Sequence, residues 1–127
     1  MTEIRFTAEA IDDLVGLDGS VRPRVLKKIL LLEENPEAGQ PLGARGGNQL
    51  ATFRKLTVGD RQWRIVYRVE PSGEVVVIWV VANREDSEVY AEAARRLSRI
   101  GTRETVGMES IASRLRRPTR GEMQDDD

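Results

Sequence analysis

The 127-residue chain contains no cysteine and no histidine. The first absence excludes a disulfide framework, a thiolate nucleophile and a thiolate metal site. The second removes the usual near-neutral acid–base group and the commonest zinc ligand. No apolar run approaches the ~18 residues of a membrane-spanning helix. The N-terminus also lacks a basic segment followed by an apolar one. Neither a transmembrane span nor a signal peptide is therefore expected, and the cytoplasm is the expected compartment. Gly46-Gly47 stands without the further glycines and the Lys-Ser/Thr pair of a phosphate-binding loop, so it reads as part of a loop only.

What the chain does have is unevenly placed charge. The net charge is -1, yet residues 1–44 carry five basic against eight acidic side chains, while residues 45–68 carry six basic against one acidic. The whole-chain balance argues against a general nucleic-acid binder, but a compact basic block inside an acidic chain is a local electrostatic footprint. The alternative is a solvated sheet face bearing long basic side chains.

Read in order, residues 3–6 form a short strand and Thr7 is an N-cap candidate, with Phe6 and Ile11 spaced as a hydrophobic staple. Ile11, Leu14 and Val15 make the apolar stripe of a first helix. Asp18-Gly19-Ser20 breaks it, and Ser20 can cap a second helix carrying Val25, Leu26, Ile29, Leu30 and Leu32 up to Asn35-Pro36. A Pro/Gly-rich loop over 36–49 leads to strands at 50–58, 62–69 and 75–82. The middle one alternates cleanly: Trp63, Ile65, Tyr67 and Val69 on one side, Arg64, Val66 and Arg68 on the other. The last is apolar on both faces, as a central strand would be. Asp86 or Ser87 can cap a third helix that packs through Val89, Ala93, Ala94 and Leu97. In that position the cluster Glu85, Asp86, Glu88 fits capping better than metal binding. Met108, Ile111, Ala112 and Leu115 predict a fourth helix over about 105–117, followed by a disordered acidic tail.

The expected fold is therefore α/β of the α+β kind. It has an N-terminal αα-hairpin packed on one face of a small, mainly antiparallel four-stranded sheet, with one or more C-terminal helices. Residues 1–97 form the domain, and 98–127 a helical extension and tail.

On the open sheet face, Lys55, Arg64 and Arg68 point toward the end of the sheet that carries Arg84 and Tyr90. Several cations and one phenol around a shallow concavity suit a phosphodiester, because guanidinium groups grip its non-bridging oxygens and oppose charge building on phosphorus. RNA cleavage by the adjacent 2′-hydroxyl needs one proton removed and one delivered. Without histidine, Lys55 or Tyr90 would have to act as base, and an arginine as an imperfect acid.

The pattern L-x-x-F-R-K-L-x-V-G-D-R-x-W-R-I-V-Y-R-V over residues 50–69, a valine-rich strand, and R-E-D-S-E-V-Y-A-E-A from Arg84 resemble the RelE/ParE superfamily of type II toxin–antitoxin toxins. The closing motif is more similar to the RelE branch, which cleaves mRNA in the ribosomal A site, than to the ParE branch, which poisons DNA gyrase. The resemblance covers residue 3 to about residue 97. It implies a catalytic set of Lys55, Arg64, Arg84 and Tyr90: Arg64 on the phosphate, Arg84 at the leaving group and Tyr90 at the 2′-hydroxyl. Arg54, Arg61 and Arg68 become RNA contacts. Phe53 stands where the family has a second lysine, which leaves room for a weak nuclease. The implied partners are a cognate antitoxin, mRNA and the ribosome, with operator DNA bound only through the antitoxin. No metal or cofactor is implied. The alternatives are a gyrase-inhibiting toxin of the same fold and an inactive binding module.

Overall fold

In a computed structural model, the structure describes residues 2–42, 52–59, 63–83, 85–97 and 105–108. Strand β1 (Glu3–Thr7) runs straight into helix α1 (Ala8–Val15), followed by α2 (Arg22–Leu30) and a 3₁₀ turn at Leu31–Glu33. Then come β2 (Gln40–Pro41), β3 (Phe53–Val58), β4 (Trp63–Val69), β5 (Val75–Ala82), helix α3 (Asp86–Leu97) and β6 (Thr105–Gly107). The strands form one mixed sheet in the order β2-β3-β4-β5-β1-β6.

The expected four-stranded sheet is thus six-stranded. β1 joins β5 in parallel, Glu3 opposite Val75 and Phe6 opposite Ile78, and every other described pair is antiparallel. The two extra strands are edges of two and three residues, too short to show a period-two pattern. β6 also corrects the start of the expected helix over 105–117. Thr105 to Gly107 are extended and pair with Thr7 to Arg5, and the Arg5 guanidinium donates to the Thr105 Oγ1 at 2.6 Å and its carbonyl at 2.8 Å. Apolar spacing predicted the helix, but pairing to a strand a hundred residues away took its first residues. Residues 98–104 and 109–127, and with them most of the expected extension and tail, lie outside the described residues.

Local signals act as expected at α1. The Thr7 hydroxyl accepts from Ala10 N at 3.1 Å, and Phe6 and Ile11 are both buried beside it. At α2 the expected Ser20 cap is absent. Val21 holds the cap position without a side-chain bond, while the Ser20 hydroxyl donates to Asp18. Arg22 instead donates to the carbonyls of Leu14, Val15 and Leu17, satisfying the open C-terminal end of α1.

Helix α1 lies over β5 and β1, and α2 over β3. Together they cover one sheet face, where Ile4, Phe6, Ala10, Ile11, Leu14, Val25, Ile29, Leu32, Leu56, Ile65, Tyr67, Val76 and Ile78 form the larger core. Helix α3 lies on the opposite face, which the sequence reading left open. A second core there joins Leu42, Phe53, Val66, Val77, Trp79, Val80, Val89, Tyr90 and Ala93. A bulge makes this possible. Val66 pairs with Val80 while Tyr67 pairs with Ile78, so Trp79 is extra and both Trp79 and Val80 turn toward α3.

Candidate active site

The site grows from the β3/β4 register. On the α3 side, Phe53 lies opposite Arg68, Lys55 opposite Val66, and Thr57 opposite Arg64. Lys55 is therefore the diagonal neighbour of both arginines, and diagonal positions about 7–8 Å apart lie within reach of long side chains. Arg64 and Arg68 are half-buried at the rim of the second core.

Helix α3 supplies the other wall. Its first helical N–H groups, of Glu88 and Val89, donate to the Glu85 carbonyl at 3.0 and 3.1 Å, and one turn in it delivers Tyr90. The Lys55 ammonium nitrogen lies 5.9 Å from the Tyr90 ring centroid, within cation–π range. Both residues are close to fully buried, Lys55 at 9% and Tyr90 at 8% exposure, so their contact is a packed one. Lys55 lays its apolar stem among the core residues, as amphipathic side chains do.

Phe53, standing where a second lysine was expected, is part of the floor. It meets Trp79 edge-on at 5.4 Å between centroids, and the Arg68 guanidinium carbon lies 5.9 Å from its ring. Arg68 also faces Glu70 at 3.7 Å, too long for a hydrogen bond, and its buried Nε has no hydrogen-bond partner among the described residues.

The structure thus brings together Lys55, Arg64, Arg68 and Tyr90 on one face. Arg54 is not among them. It points to the α1/α2 side and donates to the carbonyls of Glu37 at 3.2 Å and Gly39 at 2.7 Å. There it helps Tyr67 hold the loop after α2. The Tyr67 hydroxyl donates to the Pro36 carbonyl at 2.9 Å and accepts from Gly39 N at 2.8 Å, and burial raises its pKa above the usual phenol value. Only glycine fits at position 39, because a Cβ there would stand 2.7 Å from both the Tyr67 hydroxyl and the Lys55 carbonyl oxygen. Arg61 and Arg84 lie outside the described residues.

Sequence reasoning missed one constellation near this site. Arg96, 8% exposed near the end of α3, makes a two-pronged contact with Asp13 of α1, Nη1 to Oδ2 at 2.9 Å and Nη2 to Oδ1 at 3.1 Å. It also donates to the Trp79 carbonyl at 2.7 Å and to Glu92 at 2.6 Å. Asp13 in turn accepts from Val81 N at 2.9 Å. Hydrogen bonding from Arg95 first, then from Arg96, holds the Glu92 carboxyl down at about 2. A signal was present: Arg96 follows Val89 and Ala93 at i+7 and i+3, on the stripe that packs.

A model of the family "ParE toxin of type II toxin-antitoxin system, parDE" matches residues 4–88. The chain is 31% identical over 94 residues to the mRNA interferase toxin RelE of Escherichia coli strain K12, covering 72% of this chain and 93% of that protein. Among solved structures, it is similar to a free arginine-to-alanine mutant of E. coli RelE, with TM-score 0.61 and 28% identity over 76% of this chain and 99% of that one. It is also similar to such a mutant in complex with an antitoxin RelBc peptide, with TM-score 0.55 and 28% identity over 72% of this chain and 93% of that one.

Proposed function

The chain belongs to the ParE toxin family of type II toxin–antitoxin systems, and on that premise we propose that it is a ribosome-dependent endoribonuclease that cleaves mRNA and stops translation. The observation that carries this reading is the packing of Lys55 under Tyr90 beside Arg64, on a face that pairs a phenol with several cations. Its RelE relatives are named as mRNA interferases, which agrees with it.

In this reading Arg64 holds the non-bridging oxygens of the scissile phosphate, and Lys55 or Tyr90 takes the proton of the 2′-hydroxyl. The 2′-oxygen attacks phosphorus, the bond to the 5′-oxygen breaks, and Arg84 stabilises that leaving oxygen, which takes up a proton from the now protonated base or from water. A 2′,3′-cyclic phosphate and a 5′-hydroxyl result, and side chains alone suffice for the chemistry. Arg68 and Arg61 contact the RNA backbone. Arg54, engaged with the loop after α2, contributes through the fold of that loop. Residues 1–97 act as the toxin domain, with 98–127 as an appendage that returns to the sheet through β6. A cognate antitoxin silences the toxin, as the antitoxin-bound similar structure suggests, and operator DNA is bound through that complex.

The matching family model, which describes ParE toxins, favours a second reading, a gyrase-directed toxin of the same fold. One experiment separates the two. Transcripts are mapped after induction in cells, with Arg64→Ala and Tyr90→Phe alongside. Cleavage within translated codons that drops about a hundredfold in the Arg64 variant, and clearly in the Tyr90 variant, is the expected result. Intact transcripts together with gyrase-linked DNA breaks would select the second reading.

A further inference from the structure

Strand β1 ends at Thr7, where α1 begins, so β5 loses its parallel neighbour after Ile78 while itself continuing to Ala82. Beyond Ile78 the Trp79 carbonyl and the Val81 N–H of β5 lie in buried residues, where backbone polar groups need partners. Two side chains from opposite faces of the sheet take over. Asp13 from α1 accepts from Val81 N, Arg96 from α3 donates to the Trp79 carbonyl, and the two close on each other through a two-pronged ion pair.

Apart from Tyr90 itself, the apolar contacts of α3 come from Val89, Ala93, Ala94 and Leu97, and side chains as small as alanine fix a helix along a sheet less sharply than a directional contact does. The guanidinium fork differs. Its nitrogens meet Asp13 and the Trp79 carbonyl together in a single placement of the helix, while Glu92 of the same helix orients the fork. Buried ion pairs contribute little net stability, and their best-attested use is to specify register. Tyr90 lies six residues before Arg96 on the same rigid helix, so a register fixed at Arg96 is also fixed at Tyr90.

We propose that Asp13 and Arg96 are positioning residues of the active site: their ion pair beside the last residues of β5 sets the register of α3 and thereby holds Tyr90 over Lys55. This rests on the nuclease reading for its consequence in catalysis, but not for its geometry.

The test uses the full chain with Asp13→Asn and Arg96→Lys. The asparagine is nearly isosteric and still accepts from Val81 N–H, so it carries the test if the lysine variant does not fold. The first readout is the ring-current shift that Tyr90 imposes on the Lys55 ε-methylene protons by NMR, with Tyr90→Leu defining zero. In folded samples both variants should lose most of that shift. The second readout is single-turnover cleavage of ribosome-bound mRNA. The rate constant should fall about tenfold to a hundredfold with unchanged binding of the ribosome complex, as expected for a misplaced reacting group. Adding Arg96→Lys to Tyr90→Phe should cost little more. An unchanged ring-current shift in folded variants, or a lowered Tm with an unaltered cleavage rate constant, would overturn the proposal. A wild-type chain that leaves mRNA intact refutes the nuclease reading instead, and the NMR shift alone then decides the register claim.

Discussion

The face of the sheet under α1 and α2 joins Phe6, Ile11, Leu14, Ile29 and Ile65 in a dry apolar layer, whereas the face under α3 mixes Phe53, Val80 and Ala93 with Lys55, Arg64 and Arg68. The first is held by burial, which is non-directional and insensitive to pH. The second combines a smaller apolar patch with charged hydrogen bonds at Arg96, which are directional and, at Glu92, titrate with the carboxylate. The difference separates two duties within one small sheet. One face supplies the cooperativity of folding. The other keeps cations and a phenol in a defined arrangement, which a purely apolar face could not do.

Three further measurements test this division. On the apolar face, Phe6→Ala removes a fully buried ring between α1 and the sheet and should cost about 3–5 kcal/mol, read as a shift in the denaturation midpoint. A loss below about 1 kcal/mol would mean that this face is not the main source of stability. Tyr67→Phe is a smaller test of the same side. It leaves Gly39 N–H and the Pro36 carbonyl without their partner and should cost about 1–3 kcal/mol while preserving the apolar packing.

The smallest effect concerns the α3 face in acid. The Glu92 carboxyl sits at about 2 in the folded chain against an ordinary 4.5, so the folded state favours its charged form. Its contribution is complete above pH ~4.5 and is lost as the pH falls toward 2. Hydrogen exchange of α3 amides should therefore accelerate relative to those of α1 across that window, and Glu92→Gln should remove the pH dependence of that difference. Equal acceleration in both helices would contradict the contrast between the faces.

Much of the fold could be read from local pattern. The Thr7 cap, the alternation of Trp63 to Val69 and the doubly apolar β5 are each decided by neighbours within a few residues. Lys55, Arg64 and Arg68 were legible as a cluster for the same reason, since period two on adjacent strands fixes their side, whereas Tyr90 joins them from helix α3. The cover over that face was not. The Trp79 bulge adds a residue that no periodicity announces, and it turns both Trp79 and Val80 toward α3. Nor was the assignment of Arg54 secure, because its partners are loop carbonyls fifteen and seventeen residues upstream.

The sequence by itself determined the strands, the helix stripes, the absence of histidine and cysteine chemistry, and the basic residues available to a phosphate. Those follow from side-chain chemistry and short-range geometry. Only the tertiary structure decided that Thr105 to Gly107 join β1, that α3 packs against the basic face, and that Asp13 meets Arg96. Each of these is a contact across more than eighty residues or a choice among packing surfaces. Local propensity cannot make such choices, because they depend on which backbone groups are left unpaired once the sheet has formed.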